Sequence, residues 1–297
     1  MRRVVTALGA VLALAAATAC GDEDAVPTLD GTETAPAPAA ETVFAQAMSR
    51  ISPDALAEGT LIRFGQTAQL LALGAADERW LEIAATGNRL LPVESSASAI
   101  GVDPDGATYA VEVSDGPTRV SLLVGGQDPE AITVAATKAG YTGDVVLTQE
   151  ADSANPVTLA VQQIKPLEDD VVLGGGAADV GWVDAGSLFA DPEVAPVAAC
   201  LGDVLAAMIA ERDGGLIGIG VREEAAEIQS VVCLPGGADA ASAAADAFDG
   251  PEFADRLDVI ATDVVEADYA KVLVQHAPGE SAALMMMAAS QQALPGA

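Results

Sequence analysis

The sequence predicts an α+β fold in two similar halves, each an antiparallel sheet with helices packed on one face. Three observations predict it. Strand-like runs joined by tight turns alternate with Ala-rich stretches of helical period. The order of these elements in the first half returns in the second. No strand–helix–strand run carries a dinucleotide-binding signature, which leaves strands paired through hairpins, as in α+β domains. The expected division is a signal over 1–19, a stalk over 20–42, one α+β domain over 43–178 and a second over 179–297. Both domains would be of ordinary size.

The chain begins MRRVVTALGAVLALAAATACGDED. Arg2 and Arg3 precede the 16-residue apolar run Val4 to Ala19, and Cys20 follows. That run is shorter than the ~20 residues a helical membrane span needs. A charged start, an apolar middle and a small-residue end make a secretory signal. It looks like a bacterial lipoprotein signal, so Cys20 is the expected lipidation site and mature N-terminus. Ala17 stands where such signals usually carry Leu, Val or Ile. Ala17-Thr18-Ala19 also fits ordinary cleavage with a soluble product, and an uncleaved anchor is a third reading. Val4-Val5-Thr6 does not match a twin-arginine signal, which leaves the general secretion route.

Gly21 to Thr42 is rich in Ala, Pro, Thr and acidic residues without hydrophobic period, the composition of a disordered stalk. A helix is expected from Thr42, with Val43, Phe44, Ala47 and Met48 on one face, ending before Ser52-Pro53. Leu61 to Gly65 reads as a strand, and Ala68 to Gly87 as helical around Leu70, Leu73, Trp80, Leu81 and Ile83. Thr108 to Val113 and Arg119 to Val124 read as a strand pair turning at Ser114-Asp115-Gly116-Pro117. Asp128-Pro129-Glu130 supplies an N-cap, a first-turn proline and a first-turn acid, so a helix starts there and closes at Gly140. Val145 to Thr148, Thr158 to Gln163 and Asp170 to Gly174 complete the half as short strands.

In the second half, Val180 to Asp184 is expected as a strand and Ala185 to Ala210 as largely helical, broken near Asp191-Pro192. Leu216 to Arg222 and Glu227 to Leu234 form a strand pair, followed by a helix over Ala238 to Phe248. Leu257 to Ala261 and Tyr269 to His276 read as strands, and Ser281 to Ala293 as a closing helix. The best internal match sets Val120 to Gly126 beside Gln229 to Gly237, each followed by an Ala-rich helix.

Composition narrows function. Once Arg2 and Arg3 leave with the signal, 11 basic residues face 44 acidic ones, a net charge of −33. Nucleic-acid binding needs cationic surface, so no nucleic-acid partner is expected. An anionic bilayer also repels such a chain, and a covalent lipid would supply the membrane contact. Only 3% of residues are aromatic, which disfavours a stacking platform for sugars.

The chemistry-bearing motifs are sparse. His276 is the one histidine, and no Gly-x-Ser-x-Gly elbow accompanies it. Zinc sites need His or Cys clusters absent from this sequence. Gly125-Gly126 and Gly174-Gly175-Gly176 lack the Lys-Ser/Thr of a phosphate loop and read as turns. Asp103-Pro104-Asp105-Gly106 starts like a calcium loop, but Ala107, Tyr109 and Val111 follow, so a β-turn is expected. Glu168-Asp169-Asp170 and Glu223-Glu224 read as solvated charge. No catalytic, cofactor or metal residue is assigned.

Beyond the signal, the chain has two cysteines, Cys200 and Cys233. In an exported chain such a pair commonly forms a disulfide; two buried free thiols are the other reading.

Ala99-Ile100-Gly101-Val102-Asp103-Pro104-Asp105, Gly116-Pro117, Val124 to Glu130, Ala139-Gly140-Tyr141 and Ser187 to Pro192 together resemble a pattern in uncharacterised actinobacterial lipoproteins. The resemblance covers much of 60–210 and implies fold and location; it implies no activity and no site residues. The expected function is therefore that of a lipid-anchored extracytoplasmic protein of the cell envelope, not an enzyme, that binds an envelope partner. The alternative is a carrier of an apolar ligand or lipid in an internal cavity. A hydrolase using carboxylates and Ser/Thr alone ranks last.

Overall fold

Eleven strands hydrogen-bond edge to edge in one sheet, and every pairing is antiparallel. This computed structural model describes residues 42–276 apart from 58, 117, 213–214, 252, 254–256, 258 and 266–268, together with 282, 283 and 286. The signal, the stalk and Cys20 lie outside the described residues, as does most of the closing helix expected over Ser281 to Ala293.

Helix α1 (Val43–Ser49) is capped by Thr42, whose hydroxyl accepts from Ala45 N at 3.1 Å. After β1 (Leu61–Gly65) come α2 (Thr67–Gly74), α3 (Leu81–Ala84) and α4 (Glu94–Ser98). The hairpin β2 (Tyr109–Asp115) and β3 (Thr118–Val124) leads into α5 (Pro129–Lys138). Asp128 caps α5 by accepting from Glu130 N and Ala131 N, and Gly140 closes it at φ +102°. Then follow β4 (Leu147–Thr148), α6 (Pro156–Ala160), β5 (Gln163–Pro166) and β6 (Val171–Gly175). The second half holds α7 (Val194–Leu201), β7 (Ala206–Arg212), β8 (Gly215–Glu224), β9 (Glu227–Leu234), α8 (Ala238–Phe248), β10 (Val259–Val265) and β11 (Ala270–His276).

The strand order is β10-β11-β9-β8-β7-β1-β2-β3-β6-β5-β4. Read outward from the central β1·β7 pair, five strands run in the same order on each side, β1-β2-β3-β6-β5 and β7-β8-β9-β11-β10, and the short β4 is added at the first half's outer edge. The two halves expected as separate sheets therefore share one. Leu61 to Gly65 pair with Ala210 to Ala206 across the junction.

Helices cover both faces of the sheet, where one covered face was expected. On the first face, α1, α7 and the segment between β6 and α7 bury Ile62, Phe64, Val111, Val113, Leu122, Ala207, Ile209 and Val231. Phe44 of α1 stacks on Phe64 with ring centroids 5.1 Å apart. On the second face, α2, α3 and α8 pack against β7, β8, β9 and β11, while α4, α5 and α6 pack against β3, β5 and β6. Nearly continuous apolar strands follow from this two-sided burial, as in β6, where Val171 to Gly175 are all buried.

Three local expectations are corrected. Ala206 to Ala210, read as helical, is the start of β7. Ala and Met favour helix, but β7 lies between β1 and β8 and pairs with both, so tertiary hydrogen bonding decides. Thr158 to Gln163, read as a strand, begins inside α6, because Pro156 suits a first helical turn and Thr158 Oγ1 donates to Asn155 O at 2.8 Å. Val180 to Asp184 makes a 3-10 turn over Val180–Trp182, tightened by Asp179 accepting from Gly181 N. Only Val183 bridges, to Ile51.

Arg50, at the end of α1, fastens that helix to the sheet. Its Nε and Nη2 donate to the two oxygens of Asp184 at 2.8 and 2.9 Å, and its Nη1 donates to Asp170, whose other oxygen accepts from Gly125 N. The hydrogen bonds from Arg50 hold the Asp184 carboxyl below its ordinary value. A depressed folded-state value contributes stability above the unfolded pKa near ~4, and that contribution disappears as pH falls through the folded value. Arg50→Met is expected to cost about 2 kcal/mol at neutral pH, the scale of hydrogen bonds to charged groups. Urea unfolding at pH 6 and at pH 3 checks this: the wild type should lose more stability than the variant over that interval.

Candidate functional site

The disulfide reading of the cysteine pair holds. Cys200 of α7 and Cys233 of β9 are bridged, with Cα atoms 6.1 Å apart. The helix reaches the sheet because β8 beneath it carries Gly218 and Gly220. A Cβ at Gly218 would lie 2.6 Å from Val197 Cγ2, and one at Gly220 would lie 2.5 Å from Val204 Cγ1. Lys271 of β11 stands opposite Cys233 and donates from Nζ to Cys200 O at 2.8 Å, placing a cation at the last turn of α7. Burial, with Arg222 adding to it, holds the Lys271 amine below its ordinary value.

His276 is paired with Ser230: Nε2 lies 2.7 Å from Ser230 Oγ, and Nδ1 lies 3.2 Å from Leu257 O. These are distances suited to a base and a nucleophile. His276 borders a cleft of about 230 Å³ with Ile228, Gln229 and Gln275, but Ser230 is completely buried and does not line it, so the hydroxyl offers no approach to a substrate carbonyl. The contact ties β9, β11 and the segment at Leu257 together.

The other sequence features resolve into turns and ties. Asp103 Oδ1 accepts from Gly106 N at 3.1 Å, a turn contact. The Gly125 amide, which a phosphate loop would offer to its ligand, is taken by the chain's own Asp170. Asp170 thus works as a buried tie, whereas Asp169, Glu223 and Glu224 are exposed. Among the described residues, no group of three or more His, Cys, Asp or Glu side chains could hold a metal ion.

The charged constellation that stands out was not singled out from the sequence. Arg63 of β1 lies opposite Glu112 of β2, and Glu112 lies opposite Ser121 of β3. One pleat along, Ser114 lies opposite Arg119, and Arg119 opposite Gly175 of β6. The period of two puts all of them on the second face. Glu112 is buried, with its side chain 5% exposed; Oε1 accepts from Arg63 Nη1 at 3.0 Å and Oε2 from Ser121 Oγ at 3.2 Å. Arg63 Nη1 also lies 3.3 Å from Ser114 Oγ.

Arg89 joins this row from the loop before α4, its Nε 3.9 Å from Glu112 Oε2. The loop lies close on β1 and β2 because Gly87, at φ +78°, has no side chain. A Cβ there would lie 2.6 Å from Ala110 O. Gly175 similarly leaves room for the Arg119 stem to cross β6, since a Cβ there would lie 3.1 Å from Arg119 Cγ.

The Arg63 and Arg89 guanidiniums thus face one carboxylate, and the Arg119 charge acts on Arg89 from the same face. Burial, then the charges of Arg119 and Arg63, lowers the Arg89 pKa, while Glu112 opposes the shift. Arg89 Nη1 is buried and has no hydrogen-bond partner among the described residues. The Arg119 side chain makes no hydrogen bond or ion pair among the described residues. The side chains of Arg63 and Arg89 are 30% and 27% exposed, so solvent reaches the row.

The second half shows what the fold itself requires at these positions. The row Arg63–Glu112–Ser121–Leu173 has the same strand neighbours as Ala206–Val221–Ser230–Val274. In that register Arg119 corresponds to Ile228. Ala206, Val221 and Ile228 are buried in the apolar core of the second half.

The described clefts are shallow or mixed in lining. One of about 340 Å³ is bounded by Leu56, Ile62, Ile209 and Leu216 but also by Glu193 and Glu211. Another of about 500 Å³ is bordered by Asp203, Arg222, Glu223 and Glu224. No family model, curated protein or solved structure matches the chain.

Proposed function

We propose that this chain is a lipid-anchored extracytoplasmic protein of the cell envelope that works by binding a partner rather than by catalysis. The Cys200–Cys233 disulfide carries the compartment, because such bonds persist in oxidising surroundings and are rare in the cytosol. The signal before Cys20 and the resemblance to actinobacterial lipoproteins support the same location. The stalk after Cys20, if extended at ~3.1 Å per residue, would hold the sheet up to ~60 Å from the bilayer. Complete burial of the Ser230 hydroxyl supports binding over acyl transfer.

Replacing Cys20 by Ser tests the anchor. In a host that processes lipoproteins, the wild type is expected in the membrane fraction and released by detergent. The Cys20→Ser protein should fall at least tenfold in membrane share while still being exported with its disulfide formed. An unchanged membrane share would sink the anchor.

A further inference from the structure

We propose that Arg63, Arg89 and Arg119 form a binding site for a doubly charged oxyanion group, a free phosphate or a phosphate monoester, on the second face of the sheet. Charge counting gives the ligand its valence: three guanidiniums against the single carboxylate of Glu112 leave two positive charges, which a dianion balances. Glu112 does not exhaust the donors. Among the described residues, Arg89 Nη1 is buried without a partner, and the Arg119 side chain makes no hydrogen bond or ion pair. Guanidinium forks match the oxygens of phosphate.

Two further observations favour a ligand over a purely structural role. The second half fills the corresponding positions with Ala206, Val221 and Ile228, so the fold builds the same row from apolar side chains. Basic residues are also scarce here. After Cys20 there are only 11, and three of them, Arg63, Arg89 and Arg119, gather on this one face of the first half. The partial exposure of Arg63 and Arg89 leaves the row open to solvent. The proposal stands apart from the lipid anchor: either can fail while the other holds.

Calorimetric titration of the full chain in non-ionic detergent, at constant ionic strength, tests it. Inorganic phosphate, glycerol phosphate and succinate serve as separate titrants. Saturable one-site binding of inorganic phosphate or glycerol phosphate is expected, and the tighter of the two tells whether free phosphate or an ester is preferred. Arg119→Ala should weaken binding at least tenfold while the thermal transition stays cooperative. Arg222→Ala, which removes a cation outside the row, should leave the affinity within twofold. No saturable phosphate binding, equal binding by Arg119→Ala, or binding of succinate alone would overturn the proposal.

Discussion

Replacing both Cys200 and Cys233 by Ser is expected to lower stability by about 4 kcal/mol, the chain-entropy value for a closed loop of this size. The two residues are 33 positions apart, and the loop between them contains all of β7 and β8. The bridge therefore restricts the unfolded chain over the strand that joins the two halves. In the folded state it pins α7 to β9 above Gly218 and Gly220, where helix and sheet already lie close. Denaturant unfolding of the oxidised protein and the double serine variant measures the difference. Reduction of the wild type should reproduce most of it, and changing the salt concentration should not.

Glu112→Gln is expected to cost about 2–3 kcal/mol, somewhat below the range for breaking a fully buried pair, because Arg63 is partly exposed. The substitution keeps the shape and the hydrogen-bonding reach of the side chain but leaves Arg63 and Arg89 with no counter-charge. Salt distinguishes this loss from a packing defect. Ions screen over ~10 Å at 0.1 M, so raising the salt concentration should recover part of the loss. A Leu70→Ala variant in the apolar second-face core provides the contrast, since salt should not restore it in the same way.

Much of the fold is legible in local sequence. Asp128-Pro129-Glu130 marks a helix start through capping chemistry alone, and the structure shows Asp128 accepting the expected amides. The match of Val120 to Gly126 with Gln229 to Gly237 places Ser121 beside Ser230, and these two serines lie on corresponding strands, each third outward from the β1·β7 junction. β7 is illegible for a physical reason: Ala206-Ala207-Met208-Ile209-Ala210 has helical preferences, and only its partners on either side make it a strand. Missing β7 hid the join between the halves, so two sheets were expected where there is one.

The arginine row is illegible for a different reason. Arg63 and Glu112 are brought together by strand pairing across 49 residues, and Arg89 arrives through a loop set by Gly87. Nothing in the local pattern around any of these residues announces the others. The available hint was scarcity: in so acidic a chain, an arginine on a short strand such as Leu61 to Gly65 has many carboxylates to choose from. That it shares one with Arg89, beside the charge of Arg119, emerges only in three dimensions.

The central claim, an exported protein held to the membrane through Cys20, is tested most directly by mass spectrometry of the N-terminal peptide from native membranes. The account predicts a chain beginning at Cys20 with a diacylglyceryl group on its sulfur. A chain that retains Met1, or one that begins at Cys20 with a free thiol, would contradict it.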